Sequence, residues 1–162
     1  MIQDVQLRDV IEDDLPIFFQ QQLDPDASYM AAFPSRDYDA FMAHWKKLLS
    51  DETKIKKTIL FKEQVAGNIG SWQQSCKQEI GYWIGKEFWG KGIATEALSK
   101  FLLQIKARPL YAYVAKHNYA SIRVLEKCGF IIIDEEKNFS NIGEERIEGV
   151  ILILGARAEQ LS

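Results

Sequence analysis

The chain has 162 residues, 47% of them hydrophobic and 27% charged, with a net charge of −3, which fits one globular domain over 1–162 with a single core and excludes a disordered chain. No apolar run spans a bilayer, the first residues lack the pattern of a secretory signal, and the acidic balance disfavours non-specific nucleic-acid binding; the expectation is a cytoplasmic protein, monomer or homodimer, with no membrane or nucleic-acid partner. Cys76 and Cys128 stand far apart and only His44 and His117 accompany them, which points away from both a disulfide framework and a metal site.

Ile2 to Arg8 alternates apolar and polar side chains as a first strand does. Glu12, Asp13 and Asp14 suit the start of a helix near Asp13, whose first turn tolerates Pro16 because its N–H groups have no intrahelical partner. Leu23 to Pro34 reads as a connection too long for a simple turn. Ser35 is a candidate N-cap for a helix carrying Tyr38, Phe41, Met42, Trp45, Leu48 and Leu49 on one face. Thr58 to Lys62 and Val65 to Trp72 flank Glu63-Gln64 as hairpin strands, and Glu79 to Gly85 supplies a third extended run. Ile93 to Ile105 forms a broad helical stripe that ends near Pro109. Leu110 to Ala115 is a strand, Ala120 to Cys128 a helix, and Phe130 to Asp134 and Ile147 to Leu154 the last strands. Gly129 fits the left-handed position after the short helix, with Phe130 folding back onto Leu125.

The segment Trp89-Gly90-Lys91-Gly92-Ile93-Ala94-Thr95-Glu96-Ala97 lies between a predicted strand and a well-patterned helix. Small residues there allow a tight turn that aims several N–H groups at one spot, and the helix N-terminus adds a partial positive charge suited to a pyrophosphate. The same glycines also serve an ordinary turn. Neither a Walker A loop nor a dinucleotide Gly-x-Gly-x-x-Gly is present, which sets a phosphate-loop nucleotide hydrolase aside.

Glu79-Ile80-Gly81-Tyr82-Trp83-Ile84, the Trp89 to Ala97 segment, and Asn118-Tyr119-Ala120-Ser121 through Gly129-Phe130 follow one another in the order and spacing of the GNAT acetyltransferase core, and the chain resembles the RimJ/RimL-type branch of that superfamily. The resemblance implies an α/β fold of GNAT type: a mostly antiparallel twisted sheet of about seven strands with helices on both faces and a splayed strand pair holding the coenzyme. It further implies acetyl-coenzyme A as cosubstrate, no metal, and transfer of the acetyl group to a primary amine, on a small molecule or a protein N-terminus, by direct attack on the thioester. The family signature is Gln/Arg-x-x-Gly-x-Gly/Ala; Trp89 stands where the Gln/Arg would be, while Gly92 and Ala94 match. By resemblance, Trp89 to Thr95 (Trp89, Gly90, Lys91, Gly92, Ile93, Ala94, Thr95) cradle the pyrophosphate, Trp83, Ile84 and Gly85 lie along the pantetheine, and the Trp83 amide polarises the thioester carbonyl.

Asn118 reads as the N-cap of the following helix and, by resemblance, also as a pantetheine contact. Glu79 precedes the pyrophosphate loop at about the spacing where some family members carry a glutamate base; it reads equally as a solvated carboxylate at a strand start. Leu125 stands where many members carry a tyrosine acid, whereas Ser121 matches a serine of the RimL-like branch and reads either as the group that assists thiolate departure or as a first-turn helix serine. Tyr111, Tyr113 and Tyr119 are other possible donors. The acceptor is expected opposite the pyrophosphate, near Leu23 to Pro34, Trp72 and the final hairpin, with Asp24 and Asp26 able to attract a cationic amine. A coenzyme A-binding regulatory module without turnover is the alternative: the absent tyrosine favours it, and Glu79 and Ser121 disfavour it.

Overall fold

Alternating side chains and tight turns build one sheet of seven strands, in the order β1-β2-β3-β4-β5-β7-β6, in the computed structural model, which describes residues 4–142 and 145–155. The strands are β1 (Val5–Asp9), β2 (Ile55–Phe61), β3 (Gln64–Gln74), β4 (Lys77–Ile84), β5 (Leu110–Ala115), β6 (Ile131–Ile142) and β7 (Glu145–Leu154). Of the expected first strand, Ile2 and Gln3 lie outside the described residues. Two-residue turns fix the first registers. Lys62 and Glu63 (φ 49° and 68°) close β2 onto β3, one residue earlier than the sequence suggests, and Ser75 and Cys76 (φ 51° and 65°) close β3 onto β4. Left-handed φ at both central positions matches the twist of the flanking strands even though neither turn contains glycine.

The helices are α1 (Leu15–Leu23), α2 (Pro25–Ala31), α3 (Tyr38–Ser50), α4 (Ile93–Gln104) and α5 (Tyr119–Lys127). Helix α2 corrects the reading of Leu23 to Pro34 as a connection. The Asp24 carboxylate accepts from the N–H groups of Asp26 (2.9 Å) and Ala27 (3.1 Å), and Pro25 occupies the first helical position, where its missing N–H costs nothing. The cap of α3 is Asp37 rather than Ser35, its carboxylate accepting from Ala40 N–H at 2.8 Å. At the end of α5 the Phe130 N–H donates to Leu125 O (3.0 Å) and Gly129 N–H to Glu126 O (3.1 Å), with Gly129 at φ 100°, so the helix closes as the sequence indicates.

The sheet has helices on both faces. Ile93, Leu98 and Phe101 of α4 pack with Ile69, Ile80, Ile84 and Leu110 in the main core, while Leu15 and Phe18 of α1 and Phe41 and Trp45 of α3 form a second cluster on the other side. Every neighbouring strand pair is antiparallel except β4 with β5, and that parallel ladder holds only Gln78↔Leu110 and Glu79↔Tyr111. Beyond Glu79 the two strands part, and the site forms in the opening.

Candidate active site

Along β4 the strand period sends alternate backbone groups to opposite edges. A Cβ built on Gly67 of β3 would lie 2.0 Å from the Trp83 carbonyl oxygen, so Trp83 turns its backbone toward β3, opposite Asn68. Gly85 does the same, its N–H donating to Ala66 O at 2.8 Å. The groups of Tyr82 and Ile84 therefore face the opening, and the Ile84 carbonyl accepts there from the Trp89 indole at 2.8 Å. This corrects the expectation for the Trp83 amide: a residue whose peptide groups belong to the β3 ladder cannot present its N–H to a thioester in the gap. Gly85 is likewise committed to β3, and a Cβ on it would come within 2.9 Å of Gln21 Nε2.

A groove of about 360 Å³ runs from the opening to the start of α4. Trp83, Ile84, Trp89, Gly90, Gly92, Ile93, Ala94, Thr95, Asn118 and Ser121 all line it, whereas Gly85 and Lys91 do not. Gly90 and Gly92 adopt φ 76° and 77°, a region that glycine enters without strain, and no side chain caps α4, which leaves its first N–H groups open to a ligand. Arg123 and Lys127, one turn apart on α5, line the same groove and add two cations that the sequence reading overlooked. Backbone donors, a helix N-terminus and two cations, with no lining carboxylate among the described residues, make an arrangement suited to a diphosphate.

A larger cavity, about 690 Å³, lies on the other side of the opening and shares Ala31, Tyr82, Trp83, Asn118 and Ser121 with the groove. Its wall includes Phe33 and Pro34, Trp72, Glu79 and Phe139 of β6, in the region where an acceptor is expected; the turn of the final hairpin lies outside the described residues. Trp72 pairs directly with Glu79 across the strands and lays its ring across Gly81, where a Cβ would come within 2.9 Å of Cη2. Burial pushes the Glu79 carboxyl above its ordinary range, against the opposing pull of Trp72 and Lys77. Asp24 and Asp26 are not among the lining residues: Asp24 caps α2, and Asp26 is paired with Lys86.

Where the two spaces meet, Ser121 Oγ lies 2.8 Å from the Tyr82 hydroxyl. Tyr82 points to the α5 side of the sheet, and burial pushes its phenol up to about 12, against the bond to Ser121, so it keeps its proton at neutral pH. Nothing in the sequence marks this pair, because the partners stand on different elements. Asn118 caps α5 as expected, accepting from Ser121 N–H at 3.2 Å through Oδ1, and its Nδ2 remains a donor. The Trp83 indole N–H is buried with no hydrogen-bond partner among the described residues. Leu125 is 2% exposed, a core residue whose side chain has no proton to give.

Comparison with known proteins matches residues 4–131 to the acetyltransferase (GNAT) domain. YdaF of Bacillus subtilis (strain 168), provisionally named a ribosomal N-acetyltransferase, is 31% identical over 57% of this chain, a match that spans 55% of the length of YdaF. Among solved structures, RimL, the ribosomal L7/L12 α-N-protein acetyltransferase in complex with coenzyme A, superposes with a TM-score of 0.83 at 16% identity over 95% of both chains. The spermidine N-acetyltransferase from Vibrio cholerae, in complex with coenzyme A and spermine, gives 0.81 at 16% identity over 94% of this chain and 95% of the other.

Proposed function

Because the chain belongs to the GNAT family of acetyl-coenzyme A-dependent N-acetyltransferases, we propose that it moves an acetyl group onto a primary amine at the junction of the groove and the larger cavity. The observation that carries this reading is the sharing of Tyr82, Trp83, Asn118 and Ser121 by the two spaces at the point where β4 leaves β5.

In this reading the Gly90 to Thr95 backbone, with Arg123 and Lys127, holds the diphosphate of the coenzyme. The edge-facing groups of Tyr82 and Ile84 hydrogen-bond the pantetheine as a further strand would, and an edge N–H of that pair takes the oxyanion role. Glu79, directly or through water, accepts the proton of the acceptor amine as its nitrogen attacks the thioester carbonyl carbon. The carbon–sulfur bond then breaks, and Ser121 donates to the departing sulfur. Protonated Tyr82 donates to Ser121 Oγ and so turns the serine hydrogen outward. A thiol pKa near 8.5 makes the thiolate a fair leaving group, so modest help suffices. A half-buried carboxylate on the acceptor side and a hydroxyl pair on the coenzyme side support turnover over a silent coenzyme-binding module.

Calorimetry with acetyl-coenzyme A, ATP and NAD, followed by thiol release with a panel of amines, tests the reading. Acetyl-coenzyme A should bind with an affinity neither nucleotide approaches, and Gly92→Val should weaken it at least about tenfold, or about 1.4 kcal/mol, in a folded variant. Equal binding of ATP or NAD, or unchanged affinity in Gly92→Val, would overturn it.

A further inference from the structure

Among the described residues, the basic side chains lining the larger cavity are Arg36, His44, Lys54 and Lys56, and the one carboxylate is Glu79. Two of the cations have local employment. Lys56 donates to the carbonyls of Leu48 and Asp51 at the end of α3, and Lys54 stands 3.9 Å from an Asp51 carboxylate that also accepts from Thr53. Arg36 differs. Its guanidinium lies 5.8 Å over the Phe33 ring, and no carboxylate pairs with it among the described residues, although it is half-buried. Its backbone is held on both sides by one side chain: Arg36 N–H donates to Gln22 Oε1 (2.8 Å), and Gln22 Nε2 donates to Arg36 O (3.0 Å). Gln22 is itself 8% exposed, so an inward-facing amide of α1 fixes where the arginine emerges. His44 registers the resulting field: burial first, then Arg36, Lys54 and Lys47, hold its imidazole below the usual histidine range.

A half-buried guanidinium, clamped through its backbone and left without a carboxylate, is a site for an oxyanion, since its planar fork matches carboxylate and phosphate oxygens in a bidentate way. Building on the acetyl-transfer reading, we infer that the acceptor is a primary amine that also carries a carboxylate or phosphate, which Arg36 binds while Glu79 serves the amine. A second ammonium in place of the oxyanion would meet Arg36, Lys54 and Lys56 in the same cavity, which disfavours a polyamine.

The test is thiol release with short amines that differ at the far end: β-alanine, phosphoethanolamine, ethanolamine and 1,3-diaminopropane, with longer homologues of each. An oxyanion-bearing amine should show at least about tenfold higher kcat/KM than its neutral and cationic counterparts, and the carboxylate and phosphate arms separate the two sources. Arg36→Met should lower kcat/KM for that amine by about tenfold or more, mainly through KM, with acetyl-coenzyme A affinity unchanged by calorimetry, and Arg36→Lys should recover part of the loss. Lys54→Gln gives a smaller loss of the same kind and keeps the inference testable if Arg36→Met does not fold. Transfer to the diamine or to ethanolamine as efficient as to the anionic amines overturns the inference and leaves acetyl transfer standing. Failure to bind acetyl-coenzyme A, with no thiol release for any amine, overturns both.

Discussion

Two carboxylates sit among partly or fully buried polar groups in this chain, Asp14 before α1 and Glu79 on β4, and burial pushes both toward a higher pKa. The outcomes are opposite. Asp14 accepts two bonds from Arg8 (2.7 and 2.8 Å), one from Thr58 (2.6 Å) and one from Ile11 N–H (3.0 Å), and together these outweigh burial and hold its carboxyl below the usual range. Glu79 has Trp72 and the charge of Lys77, which fall short, and its carboxyl stays above it. Around Asp14 the donors and acceptors close on one another. Around Glu79, Ser121 and Arg36 there are, among the described residues, an indole N–H without a partner, a hydroxyl pair at the junction of two cavities, and a guanidinium with no carboxylate. A buried polar cluster that satisfies itself holds a fold together; one left with spare donors is suited to a substrate.

The comparison is tested hardest at Glu79. Glu79→Gln should lower turnover by about 10²–10⁴ near neutral pH, with the deficit shrinking as pH approaches the pKa of the acceptor amine. In the wild type, kcat/KM should fall with acidity through a pKa above the unperturbed glutamate value of about 4.3. Since the folded state holds the Glu79 proton more tightly than the unfolded chain does, the ionised carboxylate weakens the fold at neutral pH, and Glu79→Gln should leave Tm unchanged or raised. A lowered Tm with intact turnover would make Glu79 a structural residue like Asp14.

Asp14→Ala should do the reverse. Breaking a buried pair from one side costs about 3 kcal/mol or more, read as a lower midpoint in urea, while kcat/KM per folded molecule stays the same. The sign with pH follows from the lowered carboxyl: its stabilisation is present above about 3.9, the unfolded value, and is lost as pH falls through the folded one, so the gap between wild type and variant narrows in acid. A constant gap down to the lowest pH at which the protein folds would remove ionised Asp14 from the account.

At the hydroxyl pair the effects are smaller. Ser121→Ala should lower kcat about tenfold with little change in coenzyme KM, and Tyr82→Phe about threefold, because the phenol acts only through the serine. Loss of coenzyme affinity without loss of kcat would make Ser121 a binding group. An equal loss in the double variant and in Ser121→Ala alone is the signature of a relay.

What could be read from the sequence was whatever rests on neighbours in the chain. The Gly129-Phe130 stop of α5, the Asn118 cap and the glycines before α4 are local patterns with local causes, and most of the strands and helices follow from side-chain period. Helix α2 escaped because Pro25 reads as a breaker, although one residue after an aspartate cap it starts a helix. Ser35 and Asp37 are both good caps two residues apart, and only the observed bond to Ala40 decides between them. The direction of the Trp83 peptide depends on the register of β4 against β3. The pairing of Tyr82 with Ser121 and the Gln22 clamp on Arg36 join separate elements, and such contacts leave no trace in spacing or composition.

The bond from the Trp89 indole to the Ile84 carbonyl has an optical side. It ties a fluorophore, 39% exposed, to the strand edge that borders the coenzyme groove, and indole emission responds to the polarity and hydrogen bonding around the ring. Trp45, 9% exposed among the side chains of α1 and α3, belongs to another cluster and gives a steady background. Occupancy of the groove can therefore be followed as a change in intrinsic emission, without a label, and Trp89→Phe identifies which ring carries the signal.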